Sequence, residues 1–512
     1  MTETGVQVAR DSYLDSLLLM VVTVTMTDAP GVSWAGAVMA SPKGLDDLAA
    51  AGFSGGELDG LGANDLVLAV KADAEGALQG ALASGLEAAF AERAAAGPAT
   101  QEPPMSIAEA GRRDPATNVA IVSVPGEYAA LEAHHALSAG MHVLLFSDGV
   151  PVEQEIELKA RAAELGLLVM GAGAGTAVLG GTGLGFANAL GERTDSAVGV
   201  VAAAGTGAQE VSALLDRWGV GVSQVVGVGG RDLTKVVGGR MAQLATRALD
   251  ADAGTAVVLL VAKPPDPDAA RTVLAECRST PAVAVFLGLD NLEAPAGVRL
   301  ARTLEQGARA AAELAGGTVP GLVDGLRAAV AAVHLDDART TVRGLFSGGT
   351  LCYEAQAILE QHLGPIWSNE PLRKQYATPA PDGAHVLLDL GAEEYTRGVP
   401  HPMIDPSTRL DLLRQQAGDP AVAVVLIDVV LGHGSHPDPA GQLAPVCAEL
   451  MANGGPQVVA YVLGTEGDPQ SYSRQRATLE AVGCIVPETN ARAAHATAAL
   501  VLRRPELAEA GP

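Results

Sequence analysis

A chain of 512 residues exceeds what one hydrophobic core serves and implies roughly three to four domains. Hydrophobic residues make up 48% and aromatics only 3%, so the cores are built from Ala, Val and Leu, with 61 glycines for tight strand-to-helix turns, the composition of a soluble α/β protein. A net charge of −26 excludes sequence-independent nucleic-acid binding, which needs a basic face, but leaves room for a small phosphorylated metabolite held by backbone amides.

From the start of the chain, Leu17 to Met26 is apolar over about half the length of a membrane span and is flanked by Asp11, Asp15 and Asp28. It reads as a buried helix end running into a strand at Val21 to Met26, not as a signal peptide. Leu45 to Ala51 predicts a helix, Asp65 to Val70 a strand and Gly76 to Ala95 a helix, together a small α/β sandwich. Gly97 to Pro104 and Gly111 to Thr117 have linker composition around a short helix. A second unit follows, with strands at Val119 to Val124, Met141 to Phe146 and Leu167 to Met170 alternating with helices. Continuous apolar strands separated by helices predict a parallel sheet, whose carboxyl-end turns form a binding edge. A third unit has strands at Val198 to Ala203, Val222 to Val228, Ala256 to Ala262 and Ala282 to Leu287; a fourth, beginning near Thr341, has them at Val386 to Leu390, Val422 to Val430 and Val458 to Leu463. The four cysteines, Cys277, Cys352, Cys447 and Cys484, lack CxxC spacing, so neither a zinc site nor a disulfide framework is expected and a reducing cytoplasm fits, with no membrane association.

Two strand-loop-helix cradles stand out. In each, an apolar strand breaks at small residues and runs into a helix: at Ala204, Gly205, Thr206 and Gly207, and at Ser347, Gly348, Gly349 and Thr350. Free N–H groups and the positive end of the helix make such turns anion sites, so the pair predicts one phosphoryl or carboxyl-phosphate group held between two helix ends. His401, fixed between two prolines, is a candidate general acid or base with Asp405 or Asp389 as its orienting carboxylate. Arg231 follows a double glycine at a strand end, where it could neutralise the anion, and Lys263 occupies a comparable position. Glu210 and Glu354 read as first-turn acids serving the helix dipole. His433 and His436 lack a third ligand nearby, so no metal site is expected.

These turns resemble the nucleoside-diphosphate-forming acyl-CoA ligases, of which succinyl-CoA synthetase is the familiar member. Val119 to Gly173 is similar to the CoA-binding domain, with Phe146-Ser147-Asp148-Gly149-Val150-Pro151 in place of its Thr-Glu-Gly-Ile-Pro turn. Gly199 to Gly288 resembles the rest of the α subunit through Ala204-Gly205-Thr206, and Thr341 to Leu500 resembles the β subunit's carboxyl-terminal domain through Leu387 to Gly391 and Leu426 to Gly432. The fused arrangement, with the strings Gly398 to Pro406 and Ala262 to Pro265, most closely resembles the FdrA proteins. The resemblance implies doubly wound, Rossmann- or flavodoxin-like parallel-sheet domains at 106–192, 193–335 and 336–512 behind a small N-terminal α/β domain at 1–105. It also implies CoA as ligand, with Val124, Pro125, Gly126, Ser147, Asp148, Gly149 and Gly171 as its contacts.

Three departures shape the expected function. No histidine occurs between His142 and His334, so the family's phosphohistidine is absent. The stretch from Leu289 to Thr340, about fifty residues, is too short for an ATP-grasp domain, which needs on the order of one to two hundred. The usual Gly-rich loop after the first CoA-domain strand is missing as well. Acyl-CoA ligase-like handling of an acyl phosphate and CoA is the first expectation. A subunit of a carbamoyltransferase, of the oxamate type for example, using carbamoyl phosphate, is the second, and a non-catalytic CoA- or nucleotide-binding scaffold the third. Partner subunits or homo-oligomerisation are expected.

Overall fold

The computed structural model describes residues 3–14, 16–27, 29–56, 58–95, 103–192, 197–289, 291–319, 325–396, 400–416 and 418–509. Most of the first linker segment and residues Gly398 and Val399 of the Gly398 to Pro406 string therefore lie outside the described residues. The chain divides into two units, Met1–Pro103 and Pro104–Pro512.

In the first unit β1 (Glu3–Ala9), α1 (Ser16–Thr27), β2 (Val32–Met39), α2 (Pro42–Ala50), β3 (Leu66–Ala72) and α3 (Glu75–Ala95) build a three-stranded antiparallel sheet in the order β1-β3-β2. Alternation along β3 sends Leu66, Leu68 and Val70 into a core with Val22 and Met26 of α1 and Leu78 and Leu82 of α3. Val67 and Ala69 go the other way, against Leu48 and Phe53. The strand expected at Val21 to Met26 is helix. Burial decides it: Val22 and Met26 are fully buried while Val21 and Val24 are about half exposed, the spacing of a helix face. Thr23, Thr25 and Thr27 return their hydroxyls to carbonyls four residues back. The β-branched composition is overridden by packing.

The second unit starts with α4 (Ile107–Arg113), β4 (Val119–Val122), α5 (Gly126–Ser138), β5 (His142–Leu145), α6 (Val152–Leu165) and β6 (Val169–Met170), whose strands form a parallel sheet in chain order. Next come β7 (Thr176–Leu179), β8 (Thr182–Gly185), β9 (Val198–Ala203), α7 (Gly205–Arg217), β10 (Val222–Gly227), α8 (Arg240–Asp250), β11 (Val257–Ala262), α9 (Pro267–Leu274), β12 (Ala282–Phe286), β13 (Val298–Ala301), α10 (Leu304–Leu314) and α11 (Leu326–Ala331). They make a seven-stranded sheet, β13-β12-β11-β9-β10-β7-β8, whose parallel part has the flavodoxin-like order. The hairpin β7-β8 pairs antiparallel with β10, so residues 176–185, assigned from the sequence to the CoA-binding-like domain, extend the third sheet instead. The last sheet, β15-β16-β14-β17-β18, is formed by β14 (Thr341–Phe346), α12 (Gly349–Leu363), β15 (Ile366–Trp367), β16 (His385–Asp389), α13 (Glu393–Thr396), α14 (Ser407–Gln416), β17 (Val422–Val430), α15 (Pro439–Met451), β18 (Gln457–Leu463), α16 (Tyr472–Ala481) and α17 (Asn490–Leu502). The fold is α/β with several parallel-sheet domains.

One core cluster joins the inner faces of the last two sheets through α7, α10, α12 and α17. Small side chains carry this packing: Ala208, Ala213, Ala355, Ala494 and Ala498 are fully buried, and at this size each helix approaches its neighbour closely. Because α7 and α12 each leave the carboxyl end of a central strand and enter the same layer, their N-termini arrive at the same place.

Candidate functional site

The N-terminal end of α7 is open. Ala204 caps it in extended conformation with no side-chain bond, and the N–H groups of Gly205, Thr206 and Gly207 have no acceptor among the described residues. A Cβ built on Gly205 would meet nothing within 4 Å. Directed N–H groups and the helix dipole give this end a standing attraction for an anion.

The matching end of α12 is occupied by the protein itself. Ser347 donates its N–H and its hydroxyl to Asp428 Oδ1 at 2.8 and 2.9 Å, and the Gly348 N–H donates to Asp428 Oδ2 at 2.7 Å. Asp428, at the carboxyl end of β17, is itself held by Arg409, whose Nη2 lies 2.9 Å from Oδ1, both side chains being buried. Ser347 and Gly348, expected to hold phosphate, therefore spend these donors on an internal carboxylate. The Thr350 N–H points 3.3 Å from Thr206 Oγ1, which leaves Gly349 as the donor at this end with no acceptor among the described residues.

The two helix ends face each other directly: a Cβ on Gly207 would stand 3.0 Å from Thr350 Cγ2, and one on Gly348 3.0 Å from Thr206 Cγ2. They open into a cavity of about 550 Å³ lined by both ends together with Lys263, Asp389 and His401, and by Phe146 and Asp148 of the second expected domain. Lys263 Nζ is 3.9 Å from Asp389 Oδ2, and both lie beside Gly349. Burial pushes the Asp389 carboxyl up to about 6, with Lys263 pulling the other way. His401 Nδ1 accepts the Met403 N–H at 3.2 Å, which places the proton of the neutral ring on Nε2, and burial lowers its pKa to about 4 against the opposing charge of Asp428. A Cβ on Gly391 would lie 2.6 Å from His401 Nε2 and 3.2 Å from Asp389 Oδ1, so the ring and the carboxylate flank one glycine.

Other expected site residues are placed elsewhere. Asp405 caps its own turn, accepting the Ser407 N–H at 2.9 Å, and meets His401 only through backbone, so it does not orient the imidazole. Arg231 bonds Val150 O and Glu155 Oε2, each at 2.8 Å, in a network where Lys159 bridges Glu155 and Asp232. This clamps α6 to the loop after β10, and Arg231 itself is not among the residues that line the cavity. Of the expected CoA contacts, Asp148 reaches the cavity. Val124 donates its N–H to Ser147 Oγ, which donates in turn to Val122 O. A Cβ on Gly126 would stand 2.4 Å from Asp148 O, and one on Gly171, at φ 140°, 2.4 Å from Leu145 O, so these turns close on neighbouring backbone. Pro125 caps α5, and Gly149 is simply an open turn at φ 70°.

Asp428, Gln209, Glu370 and Glu393 were not singled out from sequence. Asp428 had a usable signal, being the one charged residue in the apolar run Val422–Val430 and fully buried there. Glu210 and Glu354 are not first-turn acids: each is the sixth residue of its helix and is buried.

Residues 345–500 match the CoA-ligase family, and residues 1–104 match the AllF heavy metal-associated domain. YahF of Escherichia coli (strain K12), described as an uncharacterized protein, is 36% identical over 495 residues, 94% of this chain and 95% of that one. The chain belongs to the YahF family. A succinate–CoA ligase [ADP-forming] subunit alpha 2 of Archaeoglobus fulgidus is 30% identical over 158 residues, 30% of this chain and 53% of that protein. The ADP-forming sulfoacetate-CoA ligase subunit SauD of Bilophila wadsworthia is 30% identical over 155 residues, 30% and 52% of the respective chains. The YahF-family chain thus spans about half the length of these two ligase subunits. Among solved structures, the apo dinucleotide-forming acetyl-coenzyme A synthetase 1 of Ca. Korarchaeum cryptofilum aligns at TM-score 0.31 and 15% identity, covering 77% of this chain and 85% of that one. The expected resemblance to acyl-CoA ligases is borne out over residues 345–500 and in the partial matches to the two ligase subunits.

The heavy-metal association of the N-terminal match does not fit the residues present. Residues 1–104 contain neither Cys nor His, so thiolate and imidazole donors are absent there and methionine thioethers are the only soft donors in the segment. Among the described residues no group of three or more His, Cys, Asp or Glu is placed to hold a metal ion, and no helix is long and apolar enough to cross a membrane.

Proposed function

We propose that this member of the YahF family holds a mixed anhydride of phosphoric acid by its phosphate between the N-termini of α7 and α12 and transfers the activated group, and that the donor is carbamoyl phosphate. The observation that carries the reading is the meeting of the two helix ends in one cavity beside Lys263. One end is open, while the other is already neutralised by Asp428, so the arrangement suits a single phosphate. N–H groups of Gly205, Thr206, Gly207 and Gly349 and the Lys263 ammonium bind it. A donor that arrives activated needs neither the missing histidine nor the missing ATP-grasp domain.

In the transfer, an acceptor lone pair forms a bond to the carbamoyl carbon and the C–O bond to phosphate breaks, its electron pair leaving with the phosphate. The acceptor's proton passes to a nearby base; Asp389, raised to about 6, is the carboxylate beside the subsite. The neutral His401 serves as an N–H donor rather than a cation. Asp148, Glu370, Asp389 and Glu393 line the rest of the cavity. They favour N–H groups, such as those of a carbamoyl donor or an amide acceptor, over the many phosphates of CoA.

Acyl phosphate with CoA is the second reading, favoured by the CoA-ligase match over residues 345–500. The two are separated by incubating the protein with carbamoyl phosphate and a panel of small amides and acids, or with acetyl phosphate and CoA. Acceptor-dependent phosphate release from carbamoyl phosphate supports the first reading; thioester formation in its place replaces it with the second.

A further inference from the structure

Behind the two facing helix ends stand two buried carboxylates at equivalent positions, Glu210 sixth in α7 and Glu354 sixth in α12. Their bonding differs. Glu354 accepts on both oxygens, from the Leu304 N–H at 2.6 Å and from Asn490 Nδ2 at 2.8 Å, an arrangement that suits an ionised carboxylate. Glu210 accepts the Tyr461 hydroxyl on Oε2, while Oε1 is buried with no hydrogen-bond partner among the described residues, which leaves that oxygen free to carry a proton. The groups facing Glu210 are Arg217 on its own helix, Tyr461 on β18, Asn490 on α17 and Glu354 on α12; Glu305 on α10, itself paired with Arg492 and Arg309, faces Glu354.

We propose that Glu210 carries a proton at neutral pH and that this proton is required for tight binding of a dianion at the helix ends, so that anion binding and proton uptake are linked. The proposal rests on the anion subsite described above. At 1.5 Å of rise per residue, a carboxylate at the sixth position is about 8 Å from the end of its helix, close enough for a full negative charge in a buried layer to weaken dianion binding by about tenfold or more. Burial raises Glu210 to about 8 and Glu354 to about 7, so of the two Glu210 keeps its proton to the higher pH and loses it above neutrality. Asp389, at about 6, and His401, at about 4, titrate below that range, and Glu354, at about 7, titrates at its lower end.

The test is calorimetric titration of the full chain with sulfate, a dianion throughout, between about pH 7 and about pH 9.5 in buffers of different ionisation enthalpy. Wild type should lose about tenfold or more in affinity across this range and take up a proton on binding near its upper end. Glu210→Gln, which keeps an acceptor for Tyr461 and cannot ionise, should lose much less affinity than wild type across the range and take up no proton near its upper end; this also separates Glu210 from Lys263. Sulfate binding that is independent of pH and buffer in wild type overturns the linkage, as does an unchanged pH dependence in Glu210→Gln. The wild-type proton count decides the matter if the variant does not fold. Absence of sulfate binding at every pH overturns the underlying anion subsite instead.

Discussion

The two facing helix ends share a pattern and differ in state. The strand β9 runs through Ala204 into α7 and leaves three N–H groups without acceptors among the described residues, whereas β14 runs through Ser347 and Gly348 into α12 and delivers its donors to Asp428. Small residues at a strand-helix junction establish that N–H groups converge. Whether they are available to a ligand depends on a carboxylate about eighty residues further on.

The sharpest way to break the comparison is to empty the occupied end. Asp428→Ala leaves Arg409 buried without its partner, which costs about 3–5 kcal/mol, and a large fall in melting temperature or loss of soluble protein is expected. A variant of wild-type stability would show that Asp428 is dispensable there. The same substitution at the two loops should then give opposite results. Gly205→Val places its side chain in open space within the cavity, so anion binding is lost and melting is little changed. Gly348→Val forces Cβ to 2.9 Å from Asp428 Oδ2 and 3.0 Å from Thr206 Cγ2, so thermal stability falls. Two variants that behave alike would remove the distinction between the ends.

His401→Ala is expected to lower turnover by about a hundredfold, with a smaller effect on melting, if the buried ring donates at the reacting centre. A loss confined to melting temperature would make the ring structural. The pH dependence of stability gives a further check. Glu210, raised in the folded state from 4.5 to about 8, favours folding below about 4.5 and loses that contribution as pH rises toward 8, so melting temperature should fall over this interval and fall less in Glu210→Gln. The smallest effect is expected from Arg231→Ala. Its guanidinium is 43% exposed and Glu155 keeps Lys159, so the change in stability is about 1 kcal/mol or less, and anion affinity is unaffected. A loss of affinity would return Arg231 to the site.

The parallel sheets were legible because their strands are continuous apolar runs bounded by Gly-rich turns, as at Val198–Ala203 and Val422–Val430. Short and edge strands were not: β7, β8, β13 and β15 span two to four residues, and β7-β8 joins a sheet across an expected domain boundary. Valine and threonine in α1 read as strand until the burial of Val22 and Met26 fixed the helical face. In the site, the helix ends and His401 followed from local pattern and flanking prolines. The roles of Asp405 and Arg231 did not, because both depend on partners chosen by folding, Ser407 in one case and Glu155 in the other. Glu210 and Glu354 illustrate the same limit. Their place near a helix start suggested the dipole, while their distance from the end and the packing of α17 and β18 put them in the interior.

The most direct measurement is calorimetric titration of wild type and Gly205→Val with carbamoyl phosphate, alongside their melting curves. Binding by wild type that disappears in Gly205→Val at unchanged melting temperature is the predicted result. Equal affinity in the two proteins, or no binding by wild type, would contradict a phosphate site at the paired helix ends.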